Sequence, residues 1–178
     1  LEENRTWLLI EKPPGRKPIG CKWVFKRKEN ALGEVERYKA RLVIKGYSQS
    51  QGIDYEETFS PVAKYASIRM LVALATHFGF KLHQMDVVTA FLNPVVQEDI
   101  YMEIPEGFTG DFSSMTAPVL KLNKGLYGLK QASRLWNDTV NELFEGNSFI
   151  RSKADPCIYY KRTDSGFIII AIYVDDLI

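Results

Sequence analysis

Phe167-Ile168-Ile169-Ile170-Ala171-Ile172-Tyr173-Val174-Asp175-Asp176 is the stretch that decides the fold. Apolar residues, mostly β-branched, run without a break from Phe167 to Val174. That length and composition predict a strand at the buried centre of a sheet. The run is the longest apolar one in the chain and far too short to cross a membrane as a helix. Two carboxylates follow at once. Adjacent charges at the end of a buried strand cost free energy unless water or a cation compensates them. A turn at the sheet rim would admit water. A divalent cation would compensate better, because neighbouring aspartates in a tight turn can aim both carboxylates at one hard ion such as Mg2+. The pair alone does not choose between a solvated turn and a metal site.

The strand has a partner just upstream. Residues 157–162 read as a strand, and Thr163-Asp164-Ser165-Gly166 as the turn of a hairpin. Before it, residues 132–144 carry Leu135, Trp136, Val140, Leu143 and Phe144 at helical spacing, which predicts an amphipathic helix. A second helix is predicted over residues 67–78, with Ser67 as N-cap and Gly79 as stop. Its inward residues would be Ile68, Leu71, Val72, Ala75 and Phe78. Shorter strands are expected at 80–87, 100–104 and 119–122, and a helical turn at 89–93 broken by Pro94. Residues 19–28 and 34–45 alternate around a turn at 29–33 and predict an antiparallel hairpin. The sum is an α+β pattern: an antiparallel sheet with helices packed on one face.

Charge is spread unevenly. The whole chain of 178 residues has a net charge of +1. From Lys12 to Lys45, however, eleven basic residues face three acidic ones, a surplus of eight. Residues 82–120 hold no Lys or Arg but six acidic residues, Asp86, Glu98, Asp99, Glu103, Glu106 and Asp111. A basic end suits an anionic polymer and an acidic middle suits cations; a solvated hairpin and an acidic loop would look the same. Cys21 and Cys157 are too few for a disulfide framework or a zinc site. No secretory signal opens the chain. Leu1 in place of an initiating Met, and an end inside an apolar stretch, suggest a fragment.

Asp86 is the third carboxylate of interest. It ends the expected strand 80–87, so if that strand neighbours 167–174 all three aspartates meet at one rim. Three carboxylates can hold two metal ions, which suits in-line phosphoryl transfer.

These blocks resemble a family. Gln84-Met85-Asp86-Val87-Val88-Thr89-Ala90-Phe91-Leu92 looks like the first catalytic motif of copia-type retrotransposon reverse transcriptases. Ile100-Tyr101-Met102 and Pro105-Glu106-Gly107-Phe108 follow in the family's order. So do Leu126-Tyr127-Gly128-Leu129-Lys130-Gln131-Ala132-Ser133-Arg134-Leu135-Trp136, Asp155-Pro156-Cys157 and Tyr173-Val174-Asp175-Asp176. Lys39-Ala40-Arg41-Leu42-Val43 and Thr58-Phe59-Ser60-Pro61-Val62 match upstream. Pro94 stands where the family commonly has glycine, and Val88 where it often has lysine.

The resemblance implies a right-hand polymerase, with fingers at about 1–80 (basic hairpin 19–45), palm at 81–96, a fingers/palm junction at 97–130 and palm again at 131–178. The thumb would be absent, as would the strand that should return after Asp176. Asp86, Asp175 and Asp176 would be the catalytic carboxylates, holding two Mg2+ ions (Mn2+ could substitute) together with the Val87 carbonyl. Phe91 would be a steric gate against a 2′-hydroxyl. Lys39, Arg41 and Lys45 would hold triphosphate or template phosphates, Gly128 and Lys130 would sit near nucleotide and template, and Tyr173 near the primer end. Implied partners are an RNA–DNA or DNA–DNA primer-template, dNTP and the remaining Pol regions, including thumb and RNase H, with no membrane. The implied location is intracellular, in a cytoplasmic virus-like particle if the element is active. The fragment is expected to be inactive alone. The alternative is a non-catalytic relic, or a nucleic-acid-binding fragment of a decayed element.

Overall fold

The structure is a computed structural model and describes residues 1–164 and 166–178. In chain order its elements are β1 (Trp7–Glu11), β2 (Cys21–Glu29), β3 (Val35–Ile44), α1 (Tyr65–Phe78), β4 (Met85–Asp86), β5 (Tyr101–Met102), β6 (Pro118–Leu122), α2 (Ala132–Gly146), β7 (Ile150–Arg151), β8 (Ile158–Thr163), β9 (Gly166–Tyr173) and β10 (Asp176–Leu177). Single 3-10 turns cover Gly46–Ser48 and Ala90–Leu92. Among the described residues every strand ladder is antiparallel, and the structure is mixed α/β with antiparallel sheets and two α-helices. Among the described residues no helix is long and apolar enough to cross a membrane. The chain divides into two compact units.

The first unit comprises Leu1–Thr58 and Phe91–Ala132. A small sheet in the order β1-β6-β5 forms its base, and β2 and β3 form a separate hairpin. The expected hairpin is present. Its turn is built by Asn30, whose side-chain oxygen accepts from the Leu32 and Glu34 amides at 2.9 and 3.0 Å, with Gly33 at φ 80°. The root of the hairpin is buried through Leu42 and Ile44, together with Ile19, Met102 and Leu120. Strand β1 carries no polar–apolar alternation and went unread in the sequence. It exists because β6 offers it five consecutive partners, Trp7↔Leu122 to Glu11↔Pro118.

The second unit comprises Phe59–Ala90 and Ser133–Ile178. Its sheet runs β4-β10-β9-β8-β7. The expected hairpin at 157–174 appears as β8 and β9; Ser165, in its turn, lies outside the described residues. Strand β9 is central in hydrogen bonding, but it is buried only at Ala171 and Ile172, while Phe167 and Ile168 are exposed. An unbroken apolar run therefore overstated its burial. The strand expected over 80–87 shrinks to Met85–Asp86, because β10, its partner, is only two residues long. A return strand after Asp176 was expected to be missing; β10 supplies it, pairing with both β4 and β9.

Both helices form, with corrections. The buried residues of α2 are Ala132, Trp136 and Val140, an i, i+4, i+8 stripe, and Leu143 points outward. Helix α1 starts two residues before Ser67, with Lys64 as N-cap and no side-chain cap of its own. Asp155 replaces it: its buried carboxylate accepts from the Lys64 amide at 2.9 Å and the Cys157 amide at 3.0 Å. Of the inward residues expected on α1 only Ala75 is buried; Val72 and Phe78 are exposed. Gly79 stops the helix as expected, in the left-handed conformation at φ 70°.

Candidate active site

The hairpin between β9 and β10 has a two-residue loop. Tyr173 and Asp176 are register partners, leaving Val174 and Asp175 at the tip. Val174 has φ 59°, and Asp175 is not among the residues of positive φ. A positive φ at the first loop position alone is the signature of a type II′ turn, where glycine is the usual occupant. A β-branched residue there stores about 1–3 kcal/mol of strain. The surroundings hold it. The Trp136 indole N–H donates to the Val174 carbonyl at 2.6 Å, and the Val87 amide donates to the Asp175 carbonyl at 2.7 Å. Ala171 and Ile178 exchange a pair of backbone hydrogen bonds at 2.8 and 3.0 Å that fix the far side of β10.

This geometry brings Asp86 and Asp176 together as direct partners across one rung of the β4–β10 pair. Strand β4 is not a neighbour of β9; β10 lies between them and carries Asp176 to Asp86. Both are exposed, and Asp175 is half-buried in the turn. Asp175 follows the turn rather than strand alternation, and among the described residues no three His, Cys, Asp or Glu side chains cluster closely enough to hold a metal ion. The donors are nevertheless of the right chemistry for a hard divalent cation: carboxylates borne by residues paired across one rung, with the Val87 carbonyl next in chain to Asp86. Thr89, three residues past Asp86, also has a positive φ of 56°. Strained β-branched backbone therefore lies close to Asp86 and beside Asp175 in sequence. Backbone strain persists where surrounding structure enforces it, and it concentrates at functional sites. Tyr173, half exposed, pairs with Asp176.

The remaining candidates belong to the first unit. Val43 forms a bridge with Tyr127, and the Ile44 amide donates to the Tyr127 carbonyl at 2.8 Å. Gly128, at φ 93°, follows directly, and a Cβ there would collide with the Ile44 carbonyl. The Gly128 backbone is therefore packed tightly against the Ile44 segment. The Phe91 ring meets the Tyr127 ring edge-on at 5.2 Å, and the Arg41 guanidinium lies 5.6 Å from the Tyr127 ring centre. Phe91, Arg41 and Gly128 are thus gathered around Tyr127. Lys130 has other partners: its ammonium donates to the Gln49 carbonyl at 3.2 Å and sits over the Tyr55 ring. Lys45 is half-buried at the root of the hairpin, its amide donating to the Gly20 carbonyl at 2.8 Å.

Register sorts the hairpin into two faces. Lys22, Lys26, Lys28, Arg37, Lys39 and Arg41 share one face; Trp23, Phe25, Tyr38, Leu42 and Ile44 share the other, along with Arg27. Lys26 stands directly opposite Lys39, and Lys28 opposite Arg37. Like charges in direct cross-strand register destabilise a hairpin. The register therefore concentrates positive charge on that face.

Sequence reasoning passed over four residues that the structure makes prominent. Tyr127 and Trp136 lie inside the block 126–136 but were read as block members and core. Gln49 and Gln131, both buried, join through their side-chain amides at 2.9 Å, and Gln49 accepts from the Lys130 amide at 2.8 Å. A glutamine pair 82 residues apart leaves no local periodic signal.

Comparison with known proteins agrees with these observations. The family described as "Reverse transcriptase (RNA-dependent DNA polymerase)" matches residues 4–178. The chain is 46% identical over 179 residues to the Retrovirus-related Pol polyprotein from transposon TNT 1-94 of Nicotiana tabacum, covering 100% of this chain and 13% of that protein. It is 40% identical over 176 residues to the corresponding polyprotein from transposon RE1 of Arabidopsis thaliana, covering 98% of this chain and 12% of that protein. An uncharacterized mitochondrial protein of Arabidopsis thaliana, AtMg00820, is 47% identical over 91 residues, which are 47% of this chain and 54% of that protein. The chain therefore spans about an eighth of the length of the polyproteins it matches. No solved structure matches it.

Proposed function

The chain belongs to the reverse transcriptase (RNA-dependent DNA polymerase) family of copia-type retrotransposon Pol polyproteins, and on that premise we propose that it is the fingers and part of the palm of an RNA-directed DNA polymerase. The reaction is attack of a primer 3′-hydroxyl on the α-phosphate of a dNTP with release of pyrophosphate. The observation that carries this reading is the rung that sets Asp86 opposite Asp176 beside a strained hairpin tip. In this proposal Asp86, Asp175 and Asp176 would hold two Mg2+ ions with help from the Val87 carbonyl. The ions would supply acidification of the attacking hydroxyl and charge neutralisation at the leaving pyrophosphate.

The protein's own part is positioning. The Val87–Asp175 hydrogen bond locks the segment carrying Asp86 to the turn carrying Asp175. Phe91, its ring braced by Tyr127, excludes a 2′-hydroxyl. In this reading the cationic face of the hairpin, with Lys39 and Arg41, and Lys45 at its root take phosphates of template or nucleotide, Gly128 and Lys130 serve nucleotide and template, and Tyr173 serves the primer end. Partners are primer-template and dNTP, with thumb and RNase H regions of a longer Pol polyprotein, and the working location is a virus-like particle. Backbone contacts of this kind give steep salt dependence.

The test is primer extension on an RNA template by the chain expressed with the flanking Pol regions that its relatives carry. Extension should require Mg2+ or Mn2+ and collapse in Asp175→Asn. An Asp175→Asn protein as fast as wild type refutes the assignment of the aspartates. Tight binding of primer-template without extension by the wild type would favour a nucleic-acid-binding relic instead.

A further inference from the structure

We propose that Trp136 is a positioning residue for Asp175, acting through the Val174 carbonyl. The inference rests on the reading of Asp86, Asp175 and Asp176 as the catalytic carboxylates.

Val174 is a β-branched residue at φ 59°, a conformation it does not choose by itself. Two hydrogen bonds grip the turn from outside its own hairpin. One comes from the Val87 amide to the Asp175 carbonyl. The other comes from the Trp136 indole to the Val174 carbonyl, at 2.6 Å. The Val174 carbonyl belongs to the peptide unit that leads into Asp175. With the next peptide plane held through the Asp175 carbonyl by the Val87 amide, fixing this one fixes the direction in which the Asp175 side chain leaves the backbone. Val174 is more than a third exposed, while the hydrogen bond at its carbonyl is part-buried. What the indole adds is orientation.

The donor is itself rigid. Trp136 is buried in the stripe of α2 that faces the sheet. The same helix is tied to the sheet beside it. The Arg151 guanidinium donates to the Asn137 side-chain oxygen at 3.0 Å and to the Pro156 carbonyl at 2.7 Å. The Tyr159 hydroxyl donates to the Asn141 side-chain oxygen at 3.1 Å. An indole set in such a frame can hold a strained peptide where a mobile side chain could not. A catalytic carboxylate tolerates little misplacement, since an error of about 1 Å can cost about a hundredfold in rate.

The experiment compares wild type, Trp136→Phe and Asp175→Asn in single-nucleotide incorporation by the protein carrying its flanking Pol regions. Melting temperature and Mn2+ affinity, read by water-proton relaxation, are measured on the same proteins. A substitution of Trp136 by benzothienylalanine, which replaces only the indole N–H with sulfur, separates the hydrogen bond from ring packing. The expected result for that variant is a melting temperature close to wild type, a maximal rate about ten- to a hundredfold lower, an unchanged dNTP constant and a several-fold weaker Mn2+ affinity. Trp136→Phe should lose at least as much rate. If Trp136→Phe does not fold, the isosteric variant alone decides. Wild-type rate and Mn2+ affinity in the isosteric variant, with Asp175→Asn inactive, overturn this inference and leave the proposed function intact. An Asp175→Asn protein with wild-type rate and Mn2+ affinity overturns both.

Discussion

Replacing Asp155 by alanine should destabilise the second unit by about 2–4 kcal/mol. The carboxylate is buried, at 3% exposure, and stands in for the cap that α1 lacks. It accepts from the amides of Lys64 and Cys157 at 2.9 and 3.0 Å and is hydrogen-bonded to the Ser67 side chain. Lys64 is exposed, so water can replace the carboxylate at its amide; the Cys157 amide is buried and would be left unpaired. An unsatisfied buried donor costs about 1–3 kcal/mol, and loss of a helix cap adds about 1 kcal/mol. Asparagine keeps one acceptor oxygen but not the charge, so Asp155→Asn should cost about half as much.

The pH dependence carries a further check. Burial by itself raises the Asp155 pKa, but the hydrogen bonds from Ser67, Lys64 and Cys157, and the charge of Lys64, outweigh it and hold the pKa below its ordinary value of 3.8. A carboxylate depressed in the folded state stabilises fully above its unfolded pKa of about 3.9 and loses that contribution as pH falls through the folded value. The gap between wild type and Asp155→Asn should therefore be constant near neutrality and narrow below about pH 4. Urea unfolding followed by far-UV circular dichroism, at pH 7 and at pH 3, measures both. An Asp155→Ala midpoint equal to wild type at pH 7 would refute the capping argument.

Other consequences are equally direct. Burial pushes the Cys157 thiol up to about 11, so the folded chain should resist alkylation there at pH 8, and mass spectrometry after iodoacetamide should find Cys157 modified only on unfolding. Gly128→Ala should destabilise the first unit, because the residue needs φ 93° and its Cβ would strike the Ile44 carbonyl; an unchanged melting temperature would contradict the close contact of those two segments. Lys39→Glu removes the like-charge rung opposite Lys26. It should weaken binding to single-stranded nucleic acid and lower the salt slope by about one or more, measured by fluorescence anisotropy across a salt series.

Several elements were readable from local pattern. The β2–β3 hairpin announced itself through alternation around Asn30 and Gly33, and α2 through its helical period. The β8–β9 hairpin was marked by two strand-like runs around a polar turn. Expectation failed where one segment's state depends on a distant partner. Strand β1 lacks alternation and is created by β6. Strand β4 was expected to be long, yet its length is set by β10. Exposed Phe78 and Leu143 sit at helical spacing, since periodicity marks which residues share a face and not whether that face meets anything.

The candidate site divides the same way. Asp86, Asp175, Asp176 and the ordered blocks around them are properties of the chain, and their order alone carries the family resemblance. Nothing local could say that Asp86 faces Asp176 across a rung, that Val174 takes a left-handed backbone beneath an indole, or that Asp155 caps a helix 91 residues upstream. Such pairings join residues remote in sequence and obey no short period. Only the folded unit decides them, with the register of β10 between β4 and β9 setting the Asp86–Asp176 rung.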